Sequence, residues 1–263
     1  MLQYIIILLV CFVASMIGSI CGIGGGVIVK PVLDSMGIMS VETLSYLSGV
    51  MVLSMSAYSI GKAVCVNEIQ IKDRVGILLA VGAAVGGLLG KQIFDVIQRM
   101  STTQNKIGAY QAIILFVLTF GTLLYTAKKK KIKTLQVKNK IICIFIGLSL
   151  GLLSSFLGIG GGPFNLVVLS FFFSMETKVA IQNSLLIILI SQIFALLNTI
   201  ATNRIPEFSW TLLVGMVVVA VVGAAMGRVF NQKLTNEKLD KLFCSVLVVI
   251  LIVCAYNFFK YMI

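Results

Sequence analysis

Long apolar blocks separated by short polar segments make up almost the whole chain. The blocks lie at about 2–21, 27–38, 43–61, 75–90, 107–127, 141–157, 163–173, 178–200, 209–227 and 241–259. Most of them are long enough for a helix that crosses a hydrocarbon layer of ~30 Å. The blocks at 27–38 and 163–173 are much shorter, and we expect half-helices there. The pattern predicts an all-α, polytopic membrane protein.

Both short blocks follow the same glycine motif. The sequence GIGGG occurs at Gly22–Gly26 and again at Gly158–Gly162. Four glycines in five residues disfavour a continuous helix, since each costs about 1 kcal/mol relative to alanine. Non-helical backbone at membrane depth must be buried in protein or line a cavity. We therefore predict two broken helices, and paired breaks are typical of substrate sites in secondary transporters.

The second half of the chain repeats the first. Placing Gly22 on Gly158 sets an offset of 136 residues. Four further matches occur in the same order. Ser19 with Ser155 and Asn67 with Asn203 keep this offset, whereas residues 40–43 match 174–177 with a two-residue gap, and residues 82–86 match 223–227 after a further shift. We predict two homologous repeats, 1–127 and 141–263, joined by a basic linker, 128–140. The last matched pair, GAAVG and GAAMG, is typical of close helix packing in lipid, and we assign it no substrate role.

Composition supports the membrane interpretation. Hydrophobic residues make up 59% of the 263 residues and charged residues only 11%, which excludes an ordinary soluble domain. The net charge of +12 would suit a nucleic-acid partner, but seven of the 21 basic residues crowd into the linker between two apolar blocks. Such a cluster is typical of a cytoplasmic loop, or alternatively of a patch that contacts anionic lipid. We expect a lipid bilayer as the partner, and no nucleic acid.

The basic residues also indicate how the halves are oriented. If each half crosses the membrane an odd number of times, the linker 128–140 is cytoplasmic, the C-terminus is outside, and most other basic residues are cytoplasmic. If each half crosses an even number of times, the basic residues are divided more evenly between the two sides of the membrane. The positive-inside rule therefore favours inverted over parallel repeats. The first block lacks a basic leader and a small-x-small cleavage pattern, and we interpret it as a retained span. We expect a multi-pass protein of the cell membrane.

The residue types argue against several kinds of chemistry. The chain has no histidine, and its six cysteines form no C-x-x-C motif. We therefore expect no metal, no cofactor and no catalytic residues, because an intramembrane enzyme would need a nucleophile with a base or a metal cluster. No Walker A motif indicates a nucleotide-driven pump.

The glycine motifs favour an anion site. The first turn of a helix has amide N–H groups without internal partners and a partial positive charge, and glycine lets a ligand approach that backbone. Hydroxyl and amide side chains beside the breaks would add hydrogen bonds. The predicted substrate-binding residues are Ser19, Gly22, Gly24, Gly25, Gly26, Ser155, Gly158, Gly160, Gly161, Gly162, Asn165, Gln182, Asn183 and Ser184. Alternatively, the glycines allow tight helix crossings, and the polar side chains join helices.

Four charged residues are candidates for ion coupling. Lys30 and Asp34 lie four residues apart on the first half-helix and can pair, although Lys30 could instead extend to the interface. Glu42 and Glu176 occupy the start of a span, where the helix dipole favours a carboxylate, and this structural role competes with a coupling role. Coupling to protons would involve Asp34, Glu42 or Glu176, whereas sodium would need carbonyl oxygens of the broken segments.

The motifs resemble a known family. The pattern G-x-G-G-G-x-x-x-x-P at 22–31, its second copy at 158–162 and the stretch A-I-Q-N-S-L at 180–185 resemble the sulfite exporter TauE/SafE family of membrane permeases. The resemblance covers essentially the whole chain, including the duplication and the basic linker. It implies carriage of sulfite, sulfonates and other small sulfur or organic oxyanions, often by export.

Together these observations predict a secondary transporter, an exporter of small anions, with a small anionic substrate bound near the middle of the membrane. A non-transporting membrane scaffold and an anion channel are the alternatives. The sequence leaves open whether the coupling ion is a proton or sodium, and whether the protein forms a homo-oligomer.

Overall fold

In the computed structural model, which describes residues 2–68, 73–100 and 104–262, every regular element is helical. The helices are α1 (Leu2–Cys21), α2 (Gly26–Met36), α3 (Val41–Cys65), α4 (Asp73–Met100), α5 (Gln104–Lys128), α6 (Lys140–Phe156), α7 (Phe164–Phe173), α8 (Thr177–Ala201), α9 (Trp210–Lys233) and α10 (Asn236–Met262). A short 3-10 turn, Lys129–Lys131, follows α5. These helices correspond in order to the apolar blocks, and the predicted all-α fold is confirmed.

Seven helices in the described part of the chain are long and apolar enough to cross a membrane. The spans are Gln3–Cys21, Val41–Cys65, Val75–Gln98, Gly108–Lys128, Thr177–Ala201, Trp210–Lys233 and Asn236–Lys260. Helices α6 and α7 are apolar but shorter, and α2 has only 11 residues. The predicted multi-pass membrane protein is therefore supported by helix length and composition.

The linker and the end of α10 lie at opposite ends of the helix bundle. The N–H groups of Leu135 and Val137 donate to the last turn of α7, and Lys129 forms an ion pair with Asp240 in the first turns of α10. At the other end of α10, Lys260 Nζ donates to the Ser35 carbonyl at 2.9 Å. We call these two ends of the bundle the linker end and the opposite end.

Helices α3 and α8 run antiparallel. At the opposite end, Thr43 Oγ1 in the first turn of α3 donates to the Glu207 carbonyl, beyond the end of α8, at 3.2 Å. At the linker end, Gln182 Nε2 near the start of α8 donates to the Glu68 carbonyl, beyond the end of α3, at 3.1 Å. Since these two helices correspond to each other in the predicted repeats, the two halves have opposite directions here.

Small residues bring α4 close to α6 and α9 close to α1. A Cβ atom added at Gly82 or Gly86 would overlap a backbone carbonyl of α6. A Cβ atom at Gly223 would lie 2.7 Å from the carbonyl oxygen of Phe12 in α1, and one at Gly227 would overlap the next turn of α1. The packing role predicted for the two GAA-x-G segments is confirmed.

Candidate functional site

The two GIGGG segments lie between helices and meet in the interior. A Cβ atom added at Gly26, the first residue of α2, would overlap the carbonyl oxygen of Ile159. A Cβ atom at Gly24 would lie 3.6 Å from the carbonyl oxygen of Gly160. The Ile23 and Ile159 side chains are both buried. These contacts favour the alternative that the glycines let two backbone segments cross closely.

Equivalent glycines in the two segments have the same left-handed backbone. The φ angle is +67° at Gly22 and +61° at Gly158, and it is +71° at Gly24 and +69° at Gly160. Side chains are strained in this conformation, which explains the need for glycine at these four positions. Equal φ angles at equivalent positions are expected if the two segments belong to repeats of one ancestral unit.

Each segment is held by the middle helix of the other half. Ser48 Oγ in α3 donates to the Gly158 carbonyl at 3.0 Å, and Ser184 Oγ in α8 donates to the Gly22 carbonyl at 2.6 Å. Ser184, predicted to bind substrate, thus contacts the broken backbone directly. Asn183, its neighbour, donates to the Val179 carbonyl within its own helix at 2.8 Å.

A cleft lies between the glycine segments and the opposite end of the bundle. We call it the Lys91 cleft. Its polar lining consists of Ser45, Tyr46, Lys91, Ser155, Gln192 and Thr199, and Gly158 and Phe94 also line it. A cation, hydroxyl groups and an amide converge here, which suits a small anion.

The Lys91 cleft has an excess of positive charge at its edge. Lys91 Nζ lies 3.0 Å from Asp95 Oδ1, and Arg204 Nη1 lies 3.1 Å from Asp95 Oδ2. The Asp95 side chain is only 6% exposed. One buried carboxylate is thus shared by two cations.

A third cation lies behind this cleft. Lys30 is 4% exposed, and its Nζ donates to Gln111 Oε1 at 2.7 Å and to the Leu157 carbonyl at 2.5 Å. The ammonium therefore satisfies a carbonyl at the C-terminus of α6, where the helix dipole favours a cation. A Cβ atom added at Gly158 would lie 2.9 Å from Lys30 Nζ. Lys30 is thus buried beside the second glycine segment and does not extend to the interface.

A second cleft lies toward the linker end. We call it the Arg228 cleft, and its polar lining consists of Ser19, Ser59, Glu68, Gln182, Arg228, Asn231 and Gln232. Arg228 Nη2 lies 2.6 Å from Glu68 Oε2, and Gln232 Nε2 donates to the same oxygen at 2.7 Å. The Glu68 side chain is 51% exposed, so this ion pair is in contact with water.

The structure distributes the predicted substrate residues over several places. Ser155 and Gly158 line the Lys91 cleft, and Ser19 and Gln182 line the Arg228 cleft. Asn165 is buried in the first turn of α7, and its amide finds no hydrogen-bond partner among the described residues. The remaining predicted glycines lie at or beside the crossing of the two segments: Gly22, Gly24, Gly25, Gly26, Gly160, Gly161 and Gly162.

The predicted coupling carboxylates lie away from the crossing. Glu42, in the first turn of α3, accepts a hydrogen bond from Gln98 at 2.7 Å. Glu176, which precedes α8, accepts one from Asn236 at 3.4 Å. Asp34 lines a small cavity that it shares with Lys30.

Five charged residues of the two clefts are not among the site residues predicted from the sequence, namely Lys91, Asp95, Arg204, Glu68 and Arg228. One signal was available, since Lys91 and Asp95 are spaced four residues apart just after an apolar block and can pair on one helix face. Within the described ranges, no three His, Cys, Asp or Glu side chains are grouped so that they could hold a metal ion.

The structure has three features of a membrane transporter. They are apolar spanning helices, two non-helical segments that meet in the interior, and a polar cleft on each side of these segments.

Comparison with known proteins supports the same class of protein. The family model described as sulfite exporter TauE/SafE matches residues 7–254, and the chain belongs to this family. It is also similar to the probable membrane transporter protein YunE of Bacillus subtilis (strain 168), with 20% identity over 275 residues that cover 95% of this chain and 96% of that protein. No solved structure matches the chain.

Proposed function

We propose that the protein is a secondary transporter that exports small anions such as sulfite, sulfonates and related sulfur or organic oxyanions. Its family supports the class of substrate. The observation that carries the proposal is the pair of polar clefts, which approach the same glycine crossing from opposite ends of the bundle. Each contains a cation, hydroxyl groups and a side-chain amide, which are donors suited to an oxyanion.

The proposed repeats are inverted. The antiparallel course of α3 and α8 supports this, as do the reciprocal bonds from Ser48 to Gly158 and from Ser184 to Gly22. The positive-inside rule places the basic linker in the cytoplasm. The Arg228 cleft then faces the cytoplasm and the Lys91 cleft faces outward, so an exported anion enters at the first and leaves from the second.

We place the anion in the clefts beside the glycine segments rather than at their crossing. At the crossing, the Ile159 carbonyl packs against Gly26 at the start of α2, and a carbonyl oxygen repels an anion. The cleft residues Ser19, Ser155, Gly158 and Gln182 remain in the proposed path. The amide cradle formed by the other glycines, like the coupling roles of Asp34, Glu42 and Glu176, stays a prediction.

The test is flux through purified protein in lipid vesicles. Sulfite, thiosulfate, sulfate and ethanesulfonate are offered with and without a proton gradient, and vesicles without protein give the background. We expect saturable flux of at least one sulfur oxyanion. Flux that rises linearly with anion concentration and carries channel-like currents would support the channel alternative. No protein-dependent flux of any of these anions would contradict the proposal and favour a scaffold.

A further inference from the structure

Lys30 is a buried cation outside the lining of both clefts. It lies on α2, is 4% exposed, and lines a small cavity together with Leu157 and Ile159. Gly158, the residue between these two, lines the Lys91 cleft instead. The backbone of a single residue therefore separates the Lys30 ammonium from the cleft.

The glycine at position 158 leaves the ammonium close to the cleft. The position that a Cβ atom would take there is 2.9 Å from Lys30 Nζ and 2.7 Å from Ser45 Oγ, a hydroxyl group that lines the cleft. The ammonium thus lies next to a group that an anion in the cleft would meet. The left-handed backbone of Gly158, with φ +61°, favours glycine, and no side chain of this residue comes between the ammonium and the cleft.

The hydrogen bonds of Lys30 leave its charge available. Nζ donates to Gln111 Oε1 at 2.7 Å and to the Leu157 carbonyl, and both acceptors are neutral. Among the described residues, the third N–H of the ammonium has no acceptor. Asp34, one turn further along α2, lines the small cavity and not the Lys91 cleft. An anion in the cleft therefore meets this cation from the side away from Asp34.

The Phe94 ring places Lys30 and Lys91 around one site. Lys30 Nζ lies 5.9 Å from the ring centre, and Lys91 Nζ lies 4.8 Å from the same centre. Phe94 also lines the cleft. An anion bound beside this ring is thus close to both ammonium groups. Salt screens buried charges much less than exposed ones, so the field of Lys30 reaches the anion.

We propose that Lys30 is a second cation of the anion site in the Lys91 cleft, and that its charge makes the site prefer dianions to monoanions of the same shape. This inference rests on the proposed anion transport. Coulomb energy is proportional to the charge of the ligand. A fixed cation therefore stabilises a dianion twice as much as a monoanion at the same place. Lys30 acts through its field, and no bond is made or broken.

A purely structural role for Lys30 predicts a different result. By donating to the Leu157 carbonyl, the ammonium also holds the end of α6 beside the second glycine segment. Loss of that contact alone would weaken the binding of monoanions and dianions by the same factor. The ratio of the two affinities therefore distinguishes an effect of charge from an effect of structure. Both anions meet the same neighbouring charges, so the comparison isolates the contribution of Lys30.

Isothermal titration calorimetry of the full-length protein with thiosulfate and methanesulfonate tests the proposal. The two anions are nearly isosteric, since each has a sulfur atom with three oxygens and one further substituent. Near neutral pH, thiosulfate is a dianion and methanesulfonate is a monoanion. For Lys30→Met we expect the affinity for methanesulfonate to fall roughly three- to tenfold and the affinity for thiosulfate to fall roughly ten- to a hundredfold.

Gln111→Glu neutralises Lys30 without removing it. The new carboxylate would pair with Lys30 Nζ at the place of Gln111 Oε1, and we expect the same loss of preference for thiosulfate. The matched control is Lys260→Met. Lys260 also donates to a carbonyl near the end of a helix, that of Ser35 in α2, but its side chain is exposed. This control should retain the preference for thiosulfate.

The outcomes separate the two proposals. If the unmodified protein binds neither anion, the proposed anion function is contradicted for these anions, and the inference fails with it. If it binds them and both variants weaken thiosulfate and methanesulfonate by equal factors, or weaken neither, the anion function stands and the role of Lys30 is wrong. If Lys30→Met does not fold, the affinity ratio of Gln111→Glu decides in the same way.

Discussion

The two clefts have much in common and differ mainly in the surroundings of their charges. Both contain a serine at the end of a helix that precedes a glycine segment. In the Arg228 cleft a single arginine is paired with a carboxylate that is 51% exposed. In the Lys91 cleft the carboxylate is 6% exposed and is shared by two cations.

A third cation increases the difference. Lys30 lies behind Gly158, and at the equivalent position of the second repeat, 136 residues later, the chain has Leu166. The two predicted repeats therefore have similar backbone at their glycine segments and different charges around them. Under the proposed function, the similar backbone would form the path, and the charges that differ would decide the direction of transport.

The largest expected effect concerns the side of the membrane that each cleft faces. In a cysteine-free background, we expect Glu207→Cys at the opposite end to react with an impermeant maleimide added to intact cells. Gln136→Cys in the linker should react only after the membrane is opened. Both positions are exposed. Labelling of both from the same side would contradict the proposal that the clefts face opposite compartments.

Neutralising the cleft cations should have the next largest effect. Lys91→Gln removes a charge-assisted hydrogen bond worth about 1.5–3 kcal/mol, and we expect anion affinity to fall roughly ten- to a hundredfold. Arg228→Gln removes a cation whose partner is in contact with water, and we expect a loss below about fivefold. Calorimetry with thiosulfate compares the two variants. Equal losses would show that the difference in burial has no functional consequence.

Alanine at the equivalent glycines Gly22 and Gly158 separates backbone strain from charge. Both residues have left-handed backbone, so each variant should lose at least about 1–2 kcal/mol of stability. The new Cβ at Gly22 would also lie 2.8 Å from the Cα atom of Ile181, whereas the new Cβ at Gly158 would lie 2.7 Å from Ser45 Oγ and 2.9 Å from Lys30 Nζ. We expect Gly158→Ala alone to weaken anion binding in the Lys91 cleft several-fold beyond its loss of stability.

Thermal unfolding and calorimetry measure the two effects of these glycine variants. Gly121→Ala is the control, because a Cβ atom there meets nothing within 4 Å. If Gly22→Ala and Gly158→Ala weaken binding equally, Lys30 and Ser45 do not contribute to the anion site.

The smallest effect should come from the two serine contacts. Ser48→Ala and Ser184→Ala each remove one buried hydrogen bond to the glycine segment of the other half, and we expect each to lower stability by about 0.5–1.5 kcal/mol. Ser54→Ala, which removes a bond within its own helix, should cost less. If Ser184→Ala keeps full stability and abolishes anion binding, Ser184 contacts the substrate, as the sequence predicts.

The fold could be read from the sequence because it depends on local patterns. Apolar length predicts the spanning helices, and block length predicts the short helices α2 and α7. The small residues at Gly82 and Gly86 predict close contact with another helix, although their spacing does not identify α6 as the partner. Helix length and apolar composition depend on residues that are close together in the sequence, so they can be predicted without knowing which helices pack together.

The site could be read only in part, because its contacts join distant residues. Ser184 and Gly22 are 162 residues apart, and Arg204 and Asp95 are 109 residues apart. Nothing local shows that Arg204 meets Asp95, since that contact depends on how the loop after α8 packs on α4. The glycine motif indicates an anion site at the crossing, and that site stays a prediction; the contact of the Ile159 carbonyl with Gly26, which the motif does not reveal, joins residues 133 positions apart.

The packing of α1 against α9 has a consequence for biosynthesis. The backbone of α1 is covered by Gly223 and Gly227 of α9, and Ser19 Oγ donates to the Ala224 carbonyl at 3.1 Å. During translation, α1 enters the membrane long before α9, which begins at Trp210. At about 5–20 residues per second, α1 waits for its partner on the order of ten seconds or more. In that interval lipid or the insertion machinery must cover the polar face of α1.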